Sequence, residues 1–337
     1  MPSLRWGIAI TVFSLSLPIA AQTFKVSDHW KVGGQGGWDY LLSDDANHRL
    51  YVTHNSRVEV LDTSSGQHLG AVTGLKSTHG IALNPDGKTA YASDGAGNAI
   101  VVFDCVSLKV LQTIPAGTNP DGITFEPATS TVWGFNGHSN NVTVMNAETN
   151  QVTATIALPG KPEFPQVDGK GRVFVNIEDK NVIAVLDAKT RRVVTTWSLA
   201  GCESPSGMAI DRKKHRLFSV CDGKKMSVID YDTGKLLGLA SIGESPDAAG
   251  FDPNSKDAFS SNGDGTLSVV DTSKPGFPTI ETVKTMKGAR TMAFDASSGR
   301  IYLSVAKYGV APSPMAGNAH SRPPVLPDTF EILVVSK

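Results

Sequence analysis

Gly80-Ile81-Ala82-Leu83-Asn84-Pro85-Asp86-Gly87-Lys88-Thr89-Ala90-Tyr91-Ala92-Ser93-Asp94-Gly95-Ala96-Gly97-Asn98-Ala99-Ile100-Val101-Val102-Phe103-Asp104 reads as three short strands joined by two tight connections. Gly80 to Leu83, Thr89 to Ser93 and Ala99 to Phe103 are built from small, β-branched and aromatic residues. Such runs suit a pleated, half-buried surface. Asn84-Pro85-Asp86-Gly87 is a hairpin signal, because Pro presets φ and Gly accepts the positive φ of a tight turn. Asp94 to Asn98 forms the second loop, and Val110 to Ile114 supplies a fourth strand. No stretch of the chain sustains the 3.6-residue apolar period of an amphipathic helix.

The same unit recurs along the chain. An apolar strand closes on Asp62, Asp104, Asp187, Asp230 and Asp271, with Asn146 standing in once, at successive spacings of 42, 42, 41, 43 and 41 residues. About eleven residues upstream lies an aromatic followed by small or β-branched residues: Tyr51, Tyr91, Trp133, Phe174, Phe218, Phe259 and Tyr302. Seven four-stranded units of this size predict an all-β, seven-bladed β-propeller, in which each sheet covers its neighbour's apolar faces. The seventh unit has strands at Met292 to Phe294, Ile301 to Val305 and Glu331 to Val335, and then the chain stops. Thr23 to Val32 belongs to no unit of its own, so the N-terminal strand is expected to complete the last blade and close the ring. The repeated Asp reads as turn chemistry, accepting backbone hydrogen bonds from the residues that follow it.

Composition agrees. The 337 residues include 33 Gly and 19 Pro, with 40% hydrophobic and 19% charged residues. A formal net charge of −1 argues against nucleic acid as a partner, since that needs excess Lys and Arg. Arg5, the apolar run Trp6 to Ala20 and the small residues Ile19-Ala20-Ala21 form an export signal, with cleavage expected after Ala21. The run is shorter than the ~20 residues of a spanning helix. The domains expected are a signal peptide at 1–21 and one propeller at 22–337. A periplasmic or secreted location, with no stable membrane insertion after cleavage, follows from the same reading. That compartment permits a disulfide, and Cys202 and Cys221 flank two strand ends on one face, leaving Cys105 over.

The residue just before the innermost strand of each blade should ring one mouth of the central channel. Read by alignment, these positions are Trp38, His79, Asp121, Phe164, Ser206, Asp247 and Arg290. Asp121 and Asp247 stand three blades apart and should face each other. The ends of the second strands, including His54, Asn136 and Asn262, are expected farther out on the same face. His54, His79, Asp121, Asp247, Arg290, Asn136 and Asn262 are therefore the ligand-binding candidates of a polar funnel. The same residues also read as solvated turns at a rim. No metal set is assigned, since His54 and His79 lack ligand spacing, and no cofactor is expected, because no dinucleotide, phosphate-loop or nucleophile-elbow motif occurs. Residues 308–328, with Pro312, Pro314, Pro323, Pro324 and Pro327, interrupt the last blade on the funnel face as a lid, a docking loop or a surface extension.

Tyr51-Val52-Thr53-His54 and Tyr91-Ala92-Ser93-Asp94 resemble the YVTN repeat. Together with His79-Gly80-Ile81-Ala82, Gly169 to Asn176, Pro205-Ser206-Gly207, Ser261 to Gly265 and the tail Arg322 to Pro327, they make residues 23–337 similar to the YncE-like family of bacterial exported propellers. Ile177 and Cys221 depart from the pattern. The resemblance implies a seven-bladed propeller in the periplasm or at the cell surface and no established reaction. Two functions stay open: a scaffold for an unknown protein or small-molecule ligand, or a lactonase-like hydrolase or cofactor-dependent oxidoreductase using the same funnel.

Overall fold

The computed structural model describes residues 23–310 and 323–337. The segment 1–21, expected to be an export signal, and the middle of the 308–328 insertion lie outside the described residues. The chain forms seven four-stranded antiparallel sheets. Strands are lettered A to D from the axis outward. Blade two runs Thr78–Leu83, Thr89–Asp94, Ala99–Asp104 and Val110–Pro115, within two residues of the expected bounds. Strand A of each blade touches strand A of the next, and contact between Trp38–Asp44 and Thr291–Asp295 closes the circle.

Closure uses both ends of the chain. Blade seven consists of Thr291–Asp295, Arg300–Val305, Glu331–Ser336 and, as its outer strand, Lys25–Lys31. The register runs from Lys25 opposite Ser336 to Lys31 opposite Glu331. Two aromatics fasten that strand. Trp30 packs on Tyr302 with ring centroids 5.3 Å apart, and Phe24 meets Phe259 edge-on at 5.5 Å. Gly66 of blade one lets Trp30 lie flat, since a Cβ there would stand 2.3 Å from the indole.

The strand-C Asp residues do what their turn context predicts. Asp62 Oδ1 accepts from the amides of Ser64 and Ser65 at 3.0 and 2.9 Å, and Asp230 Oδ1 from those of Asp232 and Thr233 at 3.0 and 2.9 Å. Asn146 substitutes with the same pattern. The repeating strand-B aromatics, Tyr51, Tyr91, Trp133, Phe174, Phe218, Phe259 and Tyr302, are all 0% exposed. They lie between blades: Tyr51 packs with Ala90, Ala92 and Phe103 of blade two, and Phe218 with Ala258 and Val270 of blade six. Each blade is therefore stabilised mainly by its neighbours, through burial of apolar area.

Cys202 and Cys221 form a disulfide, with Cα atoms 5.3 Å apart and a sequence separation of 19. It ties the loop entering strand A of blade five to the end of its strand B. Cys105 is free and buried. Removing the link through Cys202→Ala with Cys221→Ala should cost about 3 kcal/mol, because it lengthens the accessible excursions of the unfolded chain. Urea unfolding of the double variant against the oxidised parent measures this, and equal midpoints would contradict it.

Candidate functional site

The β-pairing register sets which residues face the channel mouth. Trp38 pairs with His54, Thr78 with Asp94, Pro120 with Asn136, Pro162 with Ile177, Pro205 with Cys221 and Pro246 with Asn262. The residue after each of these is the equivalent ring position. The ring is therefore Asp39, His79, Asp121, Glu163, Ser206, Asp247 and Arg290. This corrects the alignment at two blades, where Trp38 and Phe164 were expected and Asp39 and Glu163 stand. Trp38 instead packs against Phe330 and Tyr308, with centroids 5.1 and 6.2 Å away. The proline register could have found Glu163: Pro120, Pro205 and Pro246 each precede a ring residue, and so does Pro162.

Strand-B side chains hold several ring backbones in place. Thr53 Oγ1 accepts from the Asp39 amide at 3.2 Å and donates to the Tyr40 carbonyl at 3.0 Å. Ser93 donates to the Asp121 carbonyl, Ser261 to the Arg290 carbonyl, and Asn176 Nδ2 to the Ser206 carbonyl at 2.9 Å. Blades two, four and six thus each brace the ring residue of the next blade. Gly80, Gly122 and Gly207 permit the close approach of neighbouring inner strands: a Cβ at Gly207 would lie 2.5 Å from the Asp247 carbonyl oxygen.

Four carboxylates from four blades share this mouth. His79 Nδ1 is 2.6 Å from Asp39 Oδ2. Lys161 lies 2.7 Å from Glu163 and 2.5 Å from Glu178, and Arg290 Nε lies 3.3 Å from Asp247. Burial, then the charges of Asp39 and Asp247, push the Asp121 carboxyl up to about 7, against the pull of His79 and Lys161. Burial and Asp121 push Glu163 up to about 8. Burial opposes a charge on His79, but its hydrogen bond to Asp39 and the fields of Asp121, Asp39 and Asp94 prevail and lift it to about 9. Asp247 holds Arg290 firmly charged. Asp121 Oδ1 is buried without a hydrogen-bond partner. Donor atoms of Asp39, His79 and Asp121 all lie within 4.8 Å of one another. Their spacing of some forty residues, one per blade, is why no local motif announced them.

A floor underlies the charged mouth. The rings of Tyr40 and Phe164, from blades one and four, meet edge-on at 4.9 Å. Burial and the surrounding Asp121, Glu163, Asp39 and Asp247 keep the Tyr40 phenol well above its ordinary range, so it stays neutral. Phe164 also lines a cavity of about 230 Å³ with Leu42, Ile210, Phe251 and Phe294, to which Ser43 and Gln166 add polar groups.

The outer candidates play a different part. His54, Asn136 and Asn262 are fully buried within their blades. His54 lies against Phe330, with centroids 4.3 Å apart and the rings tilted by 31°, and sits 3.3 Å from Glu59, which also binds Arg57 and His68. Asn136 Nδ2 donates to Asn141 and Thr143, and Asn262 Nδ2 to Thr266 and Ser268. They fall under the loops leading into strand A, where Gly117 and Gly243 leave room for them. These three residues brace the mouth and do not line it. Of the sequence candidates, His79, Asp121, Asp247 and Arg290 come together. The base of the insertion, where Tyr308 pairs with Val325, stands beside them on the Arg290 side.

Comparison with known proteins agrees with this architecture. A family model described as lactonase, 7-bladed beta-propeller, matches residues 25–162. The uncharacterized protein YncE of Escherichia coli O157:H7 is 27% identical and that of Salmonella typhi 26% identical, each over 153 residues, 42% of this chain and 43% of theirs. The matched stretch spans less than half the length of those relatives. Among solved structures, the RRP9 WD40 repeats superpose with a TM-score of 0.77 at 12% identity, covering 94% of this chain and 99% of that one, a likeness of fold alone. The chain is a seven-bladed β-propeller, similar over part of its length to YncE and to the lactonase propeller family.

Proposed function

We propose that this is an exported binding propeller whose charged mouth holds a small molecule carrying positive charge. One observation carries the reading: Asp39, Asp121, Glu163 and Asp247 converge from four blades, and their cationic neighbours are already engaged. Lys161 serves Glu163 and Glu178, and Arg290 serves Asp247. That leaves Asp39 and Asp121 sharing His79. Carboxylates crowded in a partly buried site favour an incoming cation over water. Arg290, which meets Asp247 through Nε while its side chain stays 40% exposed, can also reach an anionic group of the same ligand, which suits a zwitterion. The sequence of residues 1–21 and the disulfide support an extracytoplasmic setting. Among the described residues, no helix is long and apolar enough to cross a membrane.

The test is mass spectrometry of small molecules retained after mild purification, with thermal shift against a panel of amines and amino acids. The expected result is a bound cation or zwitterion that Asp39→Asn and Arg290→Ala release. Retention of the same ligand by both variants would remove the mouth from consideration.

The hydrolase reading draws on the His79–Asp39 pair and on the lactonase description of the matching family model. His79 argues against it as a resting base, since an imidazole lifted to about 9 keeps its proton at neutral pH. Lactone hydrolysis abolished by His79→Gln would reinstate it.

A further inference from the structure

We infer that Asp39, His79 and Asp121 form a binding site for a divalent first-row transition metal ion, with Zn²⁺ the best fit. This rests on the reading that the charged mouth is the ligand site, and names one occupant of it. The donors come from three consecutive blades and lie within 4.8 Å of one another. Zinc bonds of 2.0–2.2 Å in tetrahedral geometry place neighbouring donors about 3.3 Å apart. The Asp39 Oδ2 to His79 Nδ1 pair, at 2.6 Å, needs to open by less than ~1 Å to admit the ion, which takes the place of the proton between them and releases it to solvent.

The donor set selects the class of ion. Two carboxylates alone suit magnesium or calcium, whereas an imidazole nitrogen in a three-donor set suits zinc and its neighbours. The orientation of the ring is also appropriate. His79 Nε2 projects into the space left by Gly95, where a Cβ would stand 2.6 Å from it. Nδ1 is thereby turned to the carboxylates.

An independent observation favours a cation at these donors. Asp121 Oδ1 is buried without a hydrogen-bond partner. A buried carboxylate oxygen with nothing to accept is costly, and a metal ion satisfies it directly. Around these donors the backbone is already fixed, through Thr53 at Asp39 and Ser93 at Asp121. Such outer partners keep metal ligands aligned. Three protein ligands leave a fourth position open toward the mouth, where water or a ligand's anionic end would bind.

The experiment uses the full chain without a polyhistidine tag, dialysed against a chelator and titrated with Zn²⁺ alone by calorimetry. Co²⁺ substitution reports geometry through its visible absorption. The expected result is one ion per chain, with affinity falling at least 10-fold in His79→Gln and in Asp121→Asn. Glu148→Gln, on the opposite face, should bind as the parent does. Melting curves establish that each variant is folded. A parent that binds no Zn²⁺, or ring variants that bind it as tightly as the parent, overturns the inference. If an organic cation is retained and Zn²⁺ is not bound, only the metal assignment falls. If neither binds, the reading of the mouth falls with it.

Discussion

Deletion of residues 23–31 should leave no monomer that unfolds cooperatively. The deletion removes strand D of blade seven and, with it, Phe24 and Trp30, which are 7% and 6% exposed. Losing a buried Phe or Trp side chain costs about 3–5 kcal/mol. Two such losses, added to an entire hydrogen-bonded ladder, approach or exceed the roughly 5–15 kcal/mol by which a typical domain is stable. The deletion also bares Glu331–Ser336 as an edge strand, and its EILVVS sequence is apolar enough to recruit other chains. Size-exclusion chromatography and a circular-dichroism melt of the truncated chain test this. A soluble monomer melting within a few degrees of the parent would mean that the strand exchange contributes little. Trp30→Ala is a milder version, with an expected loss near the lower end of the same 3–5 kcal/mol range, because Asp28, which accepts the indole N–H, is exposed and is rehydrated when the ring is removed.

The second large effect runs in the stabilising direction. Asp121→Asn should raise stability at pH 8 by on the order of 2 kcal/mol while abolishing cation binding at the mouth. In the folded chain the Asp121 carboxyl is pushed up to about 7, from an ordinary value of 3.8, by burial and by Asp39 and Asp247. Well below pH 3.8 it is protonated whether folded or not, and it carries no penalty. Between about 4 and 7 the unfolded chain loses the proton first, so stability falls as pH rises. Above 7 the penalty is complete, and the Asn variant escapes it. Glu163 acts in the same direction between 4.5 and about 8, and His79 between 6.5 and about 9. Glu59, lowered to about 2 by His54, His68 and Arg57 against the effect of burial, acts oppositely and only in acid. Urea unfolding at pH 4.5, 6 and 8 separates these contributions. An Asn variant less stable than the parent at pH 8 would show that the carboxylates are not in conflict. A binding site that destabilises its own fold is a common trade between function and stability.

The architecture was readable because it repeats. Seven buried aromatics and six turn-forming Asp or Asn residues report the same period independently, and packing between blades demands that period. The unmatched ends of the chain gave away the closure for a simple reason: an unpaired strand C and a strand with no unit can satisfy only each other. The mouth was harder. A slip of one residue sends a side chain to the opposite face of a strand, and the inner strands carry bulges next to the ring, between Trp38 and Leu41 and between Pro162 and Pro165. That irregularity hid Asp39 and Glu163. The polar residues ending strand B were misplaced for another reason. Sequence shows that Asn136 or His54 is polar, but only the packed loop above it shows that the Asn136 amide nitrogen and the His54 Nδ1 meet partners inside the blade.

Thr53, Ser93, Asn176 and Ser261 grip the main chain at or beside ring positions and leave the ring side chains alone. Where a residue sits is thus separated from what it is. Each of the positions so held can exchange carboxylate for hydroxyl, imidazole or guanidinium while its neighbours keep their coordinates, much as type can be changed in a locked frame. Descendants of one such ring can drift from one clientele to another by single replacements, with no need to rebuild the wheel that carries them.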